Sequence, residues 1–530
     1  MKRVVLLLLL ILGYQLLPHR LWAQAASWRW AGAQPFTVNA VAADAQGNAY
    51  VTGHFRGTIT VGTQQLTCAH NQYDLLVVKY SPQGQVLWAA ALNAQPRYAG
   101  QVSGLYVTGT DLSISPAGEA YVVGNMQGLL PAALGSSRPD LTDKFVVLKV
   151  SAAGQPLWAL QGSNDPYPAR ATGVATDAQG NCYLTGNGPF RLNNSSTSLP
   201  DWRQMFVLSL DGTGRPRWAM QSAATYGCQG YDIGVDAQNG VYVLGHYTGP
   251  MTFGTVALPR ISGQLLAKLN AGTGAVVWAR GDGVTYHQLA VSADGHGYVA
   301  GLFRDSLRLD GNRITASAAN EAFIAQFTPG GSVAWLRAAG AAEANSAAAV
   351  AVADGQPVLL LKRAAGTAAV LARQPDGSAD WEQTATGIDG NPQLATTPEA
   401  APRCWVLGGA LAGAASFGPW PLNPATTPTG FVAALTPTAV LATASGADQA
   451  TGLQVYPNPA RGQLRWRLAT SGPVQLQLLD ARGRTVRVAQ APTAAAAAGH
   501  TLDVAGVARG LYLLRATTGR QVWTARVQLD

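Results

Sequence analysis

The sequence predicts an all-β protein, in which an array of repeated strand units precedes a small, separate β domain. Three observations predict it. Tryptophan recurs at similar spacings, short apolar runs rich in aromatic and β-branched residues alternate with turn signals, and the composition changes after residue 442. The 530 residues include 60 Gly, 30 Pro and 14 Trp with few charges, which suits many short strands joined by turns.

The stretch from residue 41 to residue 90 defines the repeated unit. Runs at 41–43, 50–52, 75–80 and 86–90 predict four short strands. The joins D-A-Q-G and S-P-Q-G place Asp or Ser first and Gly fourth. They predict tight turns, because the side-chain oxygen can accept a backbone N–H and Gly tolerates positive φ. The remaining join, from His54 to Tyr73, is long.

Seven copies of the unit follow one another. Their spacings are 58, 70, 60, 60, 57 and 46 residues when the copies are aligned on Trp30, Trp88, Trp158, Trp218, Trp278, Trp335 and Trp381. Four strands per unit at such a period predict a seven-bladed β-propeller. S27-W-R-W-A-G32 matches an outer strand with no blade before it, so we expect it to complete blade seven. T438-A-V-L-A-T443 competes for the same place.

These residues resemble the seven-bladed β-propeller repeats of secreted bacterial proteins. The resemblance rests on D-x-x-G-N-x-Y-V-x-G, on the following F-x-G…F/V-G segment and on D-x-F/L-V-x-K…G-x-x-x-W, and it covers about residues 27–445. Copy six is short and lacks the Gly after its second strand, and copy seven lacks the turn Asp and the tryptophan. The resemblance implies the fold and says little about activity, because propellers serve many functions.

The first 25 residues predict a secretory signal peptide. Lys2 and Arg3 precede an apolar run from Val4 to Leu12, and Ala23 and Ala25 form an A-x-A cleavage site. The alternative is a membrane anchor, but the run is far shorter than the roughly 20 residues that a spanning helix needs. No later segment is long and apolar enough to span a membrane. We therefore expect a soluble, exported mature chain.

Charge is distributed unevenly along the chain. The net charge is +8, of which residues 1–25 carry +3 and residues 451–530 carry +7, so the middle is close to −2. Nucleic-acid binding needs a basic face, so nucleic acid is not an expected partner of the middle.

The four cysteines, Cys68, Cys182, Cys228 and Cys404, are too far apart for a C-x-x-C zinc site. We expect small buried hydrophobes, with a Cys182–Cys228 disulfide as the alternative.

The end of the chain predicts a second domain. After an Ala/Thr/Ser/Gly-rich linker, alternating strands at 463–468, 474–479, 485–489, 500–504, 511–515 and 522–529 predict a small, immunoglobulin-like β-sandwich. The predicted organisation is a signal peptide at 1–25, a seven-bladed β-propeller at 26–443, a linker at 444–452 and the end domain at 453–530.

The end domain resembles the type A C-terminal sorting domain of the type IX secretion system of Bacteroidetes. The matching residues are Tyr456, Pro457, Asn458, Pro459, Gly462, Asp480, Gly483, Gly510 and Tyr512. The resemblance implies the type IX secretion machinery as a partner, passage across the outer membrane, and removal of the domain with release or surface attachment. The tail V522-W-T-A-R-V-Q-L-D530 departs from the family, which often ends in a lysine-containing strand, and this puts the cleavage behaviour in doubt.

The end domain is rich in arginine. We expect its basic strip to be a solvated or translocon-facing sheet rather than a nucleic-acid surface. The strip consists of Arg461, Arg465, Arg467, Arg482, Arg484 and Arg487.

The sequence contains no recognisable catalytic or metal motif. G-x-S-x-G, H-E-x-x-H and phosphate loops are absent, and the acidic residues are sparse. One turn Asp per copy (Asp44, Asp177, Asp236, Asp294, Asp354) does not supply the six to eight oxygens that calcium needs, so we interpret these residues as turn caps. We expect no metal, no cofactor and no enzymatic activity.

Candidate binding residues follow the glycine that ends the second strand. His54, Asn125, Asn187 and His246 are equivalent in copies one to four, and Phe55, Arg56, Tyr247 and Arg304 lie beside these places. Long joins all fall at one end of the blades, where binding residues are usual. Together these groups predict a site for a sugar or peptide. The alternative is that each side chain satisfies backbone groups at a strand end.

The sequence therefore predicts a secreted or cell-surface propeller that binds an extracellular carbohydrate or protein. Two alternatives stay open. A carbohydrate-active lyase or hydrolase would line the central funnel with Tyr, His, Arg or carboxylates of perturbed pKa. An adhesin would expose an apolar patch on one face.

Overall fold

The computed structural model of the chain describes residues 26–68, 72–96, 104–135, 143–163, 167–192, 196–258, 262–317, 320–339, 346–363, 366–398, 403–424, 429–437, 453–456, 458–468, 473–480, 485–491, 500–518 and 521–529. The predicted signal peptide, the competing strand at 438–443 and the linker lie outside these residues. The chain divides into two compact units, residues 1–439 and 440–530. Within the described ranges, no helix has the length and apolar character needed to cross a bilayer.

The first unit opens with a strand that pairs far along the chain, and blades of four antiparallel strands follow it, numbered in chain order. The hairpin in the long join of blade 3 pairs with the outer strand of blade 2 and extends that sheet to six strands. The opening strand is β1 (Ala26–Gln34); blade 1 is β2 (Thr37–Ala43), β3 (Ala49–Phe55), β6 (Asp74–Tyr80) and β7 (Val86–Leu92), with the hairpin β4 (Thr58–Val61) and β5 (Gln64–Thr67) in its long join; blade 2 is β8 (Tyr106–Ile114), β9 (Ala120–Gln127), β10 (Lys144–Val150) and β11 (Pro156–Ser163).

Blades 3 to 5 repeat this order, again with hairpins in the long joins. Blade 3 is β12 (Arg170–Thr176), β13 (Cys182–Asn187), β16 (Met205–Leu210) and β17 (Pro216–Gln221), and its hairpin is β14 (Phe190–Leu192) and β15 (Ser198–Leu199). After β18 (Ala223–Ala224), blade 4 is β19 (Gly227–Val235), β20 (Gly240–Thr248), β23 (Gly263–Asn270) and β24 (Val276–Asp282), and its hairpin is β21 (Met251–Phe253) and β22 (Val256–Leu258). Blade 5 is β25 (Thr285–Val291), β26 (Gly297–Phe303), β29 (Glu321–Phe327) and β30 (Val333–Ala338), and its hairpin is β27 (Ser306–Leu309) and β28 (Asn312–Thr315).

Blades 6 and 7 share one long strand. β34 is the outer strand of blade 6 in its first half and the inner strand of blade 7 in its second half, with register shifts between the two. Blade 6 is β31 (Ser346–Ala353), β32 (Gln356–Lys362), β33 (Ala368–Arg373) and β34 (Ala379–Thr396); blade 7 adds β35 (Trp405–Phe417), β36 (Trp420–Leu422) and β37 (Gly430–Pro437).

The blades close into a ring. Each inner strand contacts the inner strand of the next blade, and β34 contacts β2. β1 pairs antiparallel with β37, from Ala26 opposite Pro437 to Gln34 opposite Gly430. The N-terminal strand is therefore the outer strand of blade 7, as the sequence predicts, and the described strands form an all-β propeller consistent with seven blades.

The repeated tryptophan joins each blade to the next. At six of these positions the indole N–H donates to a backbone carbonyl in the turn between the third and fourth strands of the following blade, over 2.9–3.3 Å. The pairs are Trp30–Pro82, Trp88–Ala152, Trp158–Gly212, Trp218–Ala271, Trp278–Pro329 and Trp335–Pro375. Trp30, on β1, makes this bond to blade 1 and so joins blade 7 to blade 1.

The turn glycine of the repeat lies directly under this tryptophan. A Cβ atom at Gly274 would lie 2.6 Å from the Trp218 ring, which is closer than a real contact allows. Gly274 also has a φ of +73°. The G-x-x-x-W pattern thus records packing between neighbouring blades: the glycine of one blade receives the tryptophan of the blade before it.

Three of the turn aspartates, Asp44, Asp177 and Asp236, cap their turns as predicted. Asp354 forms an ion pair with Arg403 at 3.2 Å. Oδ1 of Asp44 accepts the N–H groups of Gln46 at 3.0 Å and Asn48 at 2.9 Å, and Oδ2 accepts the Tyr50 hydroxyl at 3.1 Å. The Tyr50 hydroxyl also reaches the carbonyl of Gly118 in blade 2. The second-strand motif is therefore a set of turn and inter-blade contacts.

All four cysteines are buried. Cys182 and Cys228 are free thiols in separate hydrophobic clusters, so no disulfide joins them. They act as small apolar side chains, the first of the two predicted alternatives.

The second unit contains two sheets. One is β38 (Gln454–Tyr456), β39 (Gln463–Arg467) and β42 (His500–Asp503); the other is β40 (Val474–Leu479), β41 (Thr485–Ala491), β43 (Gly510–Thr518) and β44 (Gln521–Leu529). Alternate residues of both sheets share one hydrophobic core, which includes Trp466, Leu478 and Leu514. This is a β-sandwich. Its immunoglobulin-like character stays a prediction.

Candidate ligand-binding site

The predicted binding residues lie in several different places. Asn187 and His246 line one groove on the long-loop end of blades 3 and 4. Phe55 and Tyr247 lie in the hydrophobic core, 2% and 0% exposed, and line no surface. The reason is the two-residue period of a strand: each follows directly after a candidate residue and so points to the opposite face.

The remaining predicted residues do not join this groove. Nδ1 of His54 lies 3.5 Å from Asn39 Nδ2, and its ring meets Tyr73 edge-on at 4.8 Å. Burial lowers the pKa of His54. Arg56 is exposed at the start of the long join of blade 1.

Asn125 and Arg304 lie on other blades. The side-chain oxygen of Asn125 is enclosed in blade 2, without a hydrogen-bond partner among the described residues. Arg304 borders a cavity of about 440 Å³ over blade 5, where its Nε donates to Asn320 Oδ1 at 2.6 Å. The eight predicted residues therefore do not form one site.

Asn187 and His246 lie in a well-defined surface groove of the propeller. We call it the blade 3–4 groove. Its volume is about 490 Å³, within the range of roughly 300–1,000 Å³ usual for ligand sites. Its lining comes from the joins around blades 3 and 4 and consists of Pro168, Asn187, Trp202, Arg203, Tyr226, Gly227, Cys228, Gln229, His246 and Thr248.

The loop that carries Trp202 and Arg203 is fixed by a buried glutamine. Gln204 is 3% exposed. Its Nε2 donates to the carbonyl of Ala224 at 2.8 Å, while its Oε1 accepts the Ala224 N–H at 2.7 Å and the Ser222 hydroxyl at 2.9 Å. The Arg203 carbonyl also accepts the Cys228 N–H at 2.8 Å. These bonds tie the loop of blade 3 to the segment entering blade 4, so the groove is organised before any ligand arrives.

Aromatic rings provide exposed surface in and beside the groove. Trp202 stacks on Tyr167 with ring centroids 5.3 Å apart and planes 7° apart, and both rings are partly open to solvent. Tyr226 is 70% exposed. A Cβ atom at Gly249 would lie 2.5 Å from the Tyr226 ring, so the ring rests on that glycine and keeps its other side open.

The groove also holds a positive charge, which no carboxylate of the described residues pairs. The Arg203 guanidinium lies 4.7 Å from the centroid of the Trp202 ring, in cation–π geometry. Among the described residues, the guanidinium has no carboxylate within ion-pair distance. The neighbouring Arg170, in contrast, is paired with Asp143 at 3.0 Å. The described residues that line the groove include no Asp or Glu.

A second cavity is the mouth of the central channel. The channel is lined by residues of the inner strands, where β-bulges push side chains inward: Asn39, Thr110, Asp111, Thr172, Tyr231, Asp232, His287, Gln288, Ala349, Asn391, Pro392 and Gln393. Tyr231 stacks on His246 at 6.5 Å with planes 17° apart, which connects the channel lining to the blade 3–4 groove.

Side chains at the bulges fasten each inner strand to the next. Asn39 donates to the carbonyl of Gly109 at 2.7 Å, Thr110 to Ala171 at 3.0 Å and Thr172 to Gly230 at 2.8 Å. These polar channel residues therefore hold the inner strands of neighbouring blades together.

The two channel carboxylates, Asp111 and Asp232, bridge blades in a similar way. Asp111 accepts the N–H groups of Leu112 and Val174, each at 2.8 Å. Asp232 accepts those of Ile233 and Leu289, also at 2.8 Å. Burial, with a contribution from Asp232, raises the pKa of Asp111 to about 7. Burial raises the pKa of Asp232 to about 6.

Sequence reasoning missed the residues that shape the groove. Trp202, Arg203 and Tyr226 lie in joins that differ between copies, so no repeat pattern marks them. A usable signal was present in D201-W-R-Q204, where a large aromatic residue and an arginine interrupt a polar loop. No group of three or more His, Cys, Asp or Glu in the described ranges could hold a metal ion.

The predicted sorting residues lie on the strands and turns of the second unit. Asn458 Nδ2 donates to the Arg526 carbonyl at 2.8 Å, and its Oδ1 accepts the Gln528 N–H at 2.8 Å. The Tyr512 hydroxyl donates to the Ala508 carbonyl at 2.7 Å. Tyr456 lies under the Arg467 guanidinium at 5.5 Å. These contacts hold the motif segments against the strands of the sandwich.

The other motif residues occupy turns and strand ends. Pro459 follows Asn458 through a cis peptide bond, Gly462 has a φ of +74° and Gly510 a φ of +154°. Asp480 directly follows Leu479, the last residue of β40. Pro457 and Gly483 lie outside the described residues.

Comparison with known families decides what this unit is. Residues 454–529 match the family described as "Secretion system C-terminal sorting domain". The end domain is a type IX sorting domain. The protein is therefore a secreted β-propeller that the type IX machinery exports to the cell surface or the extracellular space.

Solved structures similar to this chain include other propellers. BamB from Moraxella catarrhalis is 12% identical, with a TM-score of 0.32 and coverage of 77% of this chain and 97% of BamB. The Pan2 WD40 domain of Neurospora crassa is 10% identical, with a TM-score of 0.37 and coverage of 80% and 99%. At these TM-scores the propeller assignment rests on the strand pairing instead. No curated protein sequence matches the chain significantly.

Proposed function

We propose that the secreted propeller is a binding protein that recognises an extracellular carbohydrate in the blade 3–4 groove, without covalent chemistry. The proposal is carried by one observation. A fixed, open groove combines exposed aromatic rings with Asn187, Gln229, His246 and Arg203 as hydrogen-bonding groups. Sugars present C–H faces that pack on aromatic rings and hydroxyl groups that bond amides and guanidinium groups.

Binding of the propeller to immobilised glycans tests the proposal. We expect the secreted protein to retain a subset of glycans on an array and Trp202→Ala to lose at least about tenfold in affinity, because truncating a central aromatic hot-spot residue typically costs about 2 kcal/mol or more. Trp420→Ala is the matched control, since Trp420 is 40% exposed but lies on blade 7. Equal binding by the wild type and Trp202→Ala would refute the groove as the site.

A second candidate function is acid–base catalysis on a polysaccharide at the channel. It is favoured by Asp111, because a pKa near 7 suits a general acid or base. Against it, the Asp111 and Asp232 carboxylates already accept two backbone N–H groups each. Release of reducing ends or unsaturated products from glycans that bind, abolished by Asp111→Asn, would establish the enzyme instead of the binding protein.

A further inference from the structure

We propose that the ligand of the blade 3–4 groove is an acidic oligosaccharide, one that carries uronic acid carboxylates. This inference rests on the proposed function and narrows it to one ligand class. Its basis is the charge of the groove: one guanidinium, Arg203, with no carboxylate in the lining and none paired to it among the described residues.

Contacts of its own backbone and side chain hold Arg203 in position. The residue is held at both backbone groups: the N–H donates to Asp201 Oδ1 at 2.9 Å, and the carbonyl accepts the Cys228 N–H at 2.8 Å. The side chain then lies against Trp202, which fixes the cation beside exposed aromatic surface. The two Asp201 oxygens are engaged by Arg203 N–H and by Gln204 Nε2 at 3.3 Å, which directs that carboxylate to its own loop.

The neighbouring charges support the same ligand. Arg170, the first residue of β12, is paired with Asp143. Among the described residues that line the groove, Arg203 alone carries a formal charge. A planar guanidinium binds a carboxylate through two parallel hydrogen bonds, which are stronger than bonds to neutral hydroxyls. A uronate places its carboxylate on the sugar ring itself. One sugar unit can therefore pack on an aromatic ring while its carboxylate meets Arg203.

The inference is tested with pairs of glycans that differ only in charge. The probes are oligomers of galacturonate, glucuronate, alginate and hyaluronan, each beside its carboxyl-reduced, neutral counterpart. We expect at least one acidic oligomer to bind about tenfold or more tightly than its reduced form, with affinity falling as NaCl rises from 50 to 500 mM, because salt screens exposed charges.

Arginine variants assign this discrimination to the groove. Arg203→Gln should bring the acidic oligomer to the affinity of its neutral counterpart, whereas Arg215→Gln should change nothing, because exposed Arg215 lies in a turn at the opposite end of blade 3. Unchanged melting temperatures confirm that both variants fold.

Three outcomes separate the two proposals. If neutral glycans bind as well as acidic ones and Trp202→Ala abolishes both, the inference fails and the proposed function stands. If discrimination persists in Arg203→Gln, Arg203 is not the anion-binding group and the inference is wrong. If no glycan of either kind binds, both proposals fail.

Discussion

The two ends of the propeller differ in whether their contacts repeat from blade to blade. At the short-turn end, the same contacts recur from blade to blade: an indole N–H on a turn carbonyl, a glycine under the indole, and a tyrosine hydroxyl reaching the next blade. At the long-loop end, the contacts around Gln204 belong to blade 3, and the groove they organise lies over blades 3 and 4.

This difference separates stability from recognition. Repeated contacts make the blade interfaces that contain them alike, so they carry no information about a ligand. The unique contacts stabilise little beyond their own loop, but they fix the positions of Trp202 and Arg203. Changes at the short-turn end should therefore lower stability, and changes at the long-loop end should lower binding.

The largest effect should follow removal of β1. Deleting residues 26–34 leaves β37 without its outer partner and removes the Trp30–Pro82 bond that joins blade 7 to blade 1. An exposed strand edge also promotes association between chains. We expect the thermal transition to fall further than for any point substitution described below, with oligomers visible by size-exclusion chromatography. An unchanged, monomeric transition would show that the ring does not need this strand.

A single blade contact should cost less. Trp88 is 8% exposed, packs edge-on against Tyr50 and donates to Ala152. Trp88→Ala should lower the free energy of unfolding by about 3–5 kcal/mol, the usual cost of truncating a buried tryptophan. Glycan binding by the folded fraction should be unchanged. Chemical denaturation measures the free energy of unfolding. A loss of glycan affinity in the folded variant would contradict the separation of stability and binding between the two ends of the propeller.

Gln204→Ala tests whether changes at the long-loop end lower binding more than stability. The substitution leaves the Ser222 hydroxyl and the Ala224 N–H without their acceptor, which costs about 1–3 kcal/mol. It also frees the loop that carries Trp202. We expect a small fall in melting temperature, a large fall in glycan affinity and faster proteolysis near residues 201–204. Gln83→Ala, an exposed residue in a short turn, is the control and should change none of these.

Stability should also depend on pH. Burial raises the pKa of Asp111 to about 7, above its value of about 4 in an unfolded chain. The folded protein therefore binds an extra proton between these values, so stability from this group is complete below pH 4 and is lost as pH rises through 7. The melting temperature of the wild type should fall from pH 5 to pH 8, and Asp111→Asn should reduce that fall. An identical pH profile in the variant would exclude Asp111 as its source.

Much of the propeller follows from its sequence because each signature residue has a repeated physical task. Trp88 and Asp44 mark blade contacts and turn caps, so a pattern visible by eye reports a contact that exists. The place of β1 follows in the same way, since Trp30 matches the other outer strands. The long β34, shared by two blades, does not follow from the repeat pattern, because copy six is short and lacks the Gly after its second strand, and copy seven lacks the turn Asp and the tryptophan.

The candidate site was much less predictable. Asn187 and His246 meet because blades 3 and 4 are neighbours, whereas His54 and Arg304 lie on blades that face other parts of the ring. Phe55 and Tyr247 show that strand alternation decides exposure even next to a loop. Trp202 and Arg203 owe their positions to contacts of Gln204 with a segment about 20 residues away, and a repeat alignment contains no information on those contacts.

The pairing of β1 with β37 also bears on how the molecule is made. Trp28 lies opposite Leu435, so the last interface joins residues about 400 positions apart in the chain. Long-range pairings form slowly, because a large loop must close before the contact is gained. β1 can pair with β37 only after β37 has been synthesised. The ring therefore closes only when synthesis has reached residue 437, shortly before the sorting domain that begins near residue 454.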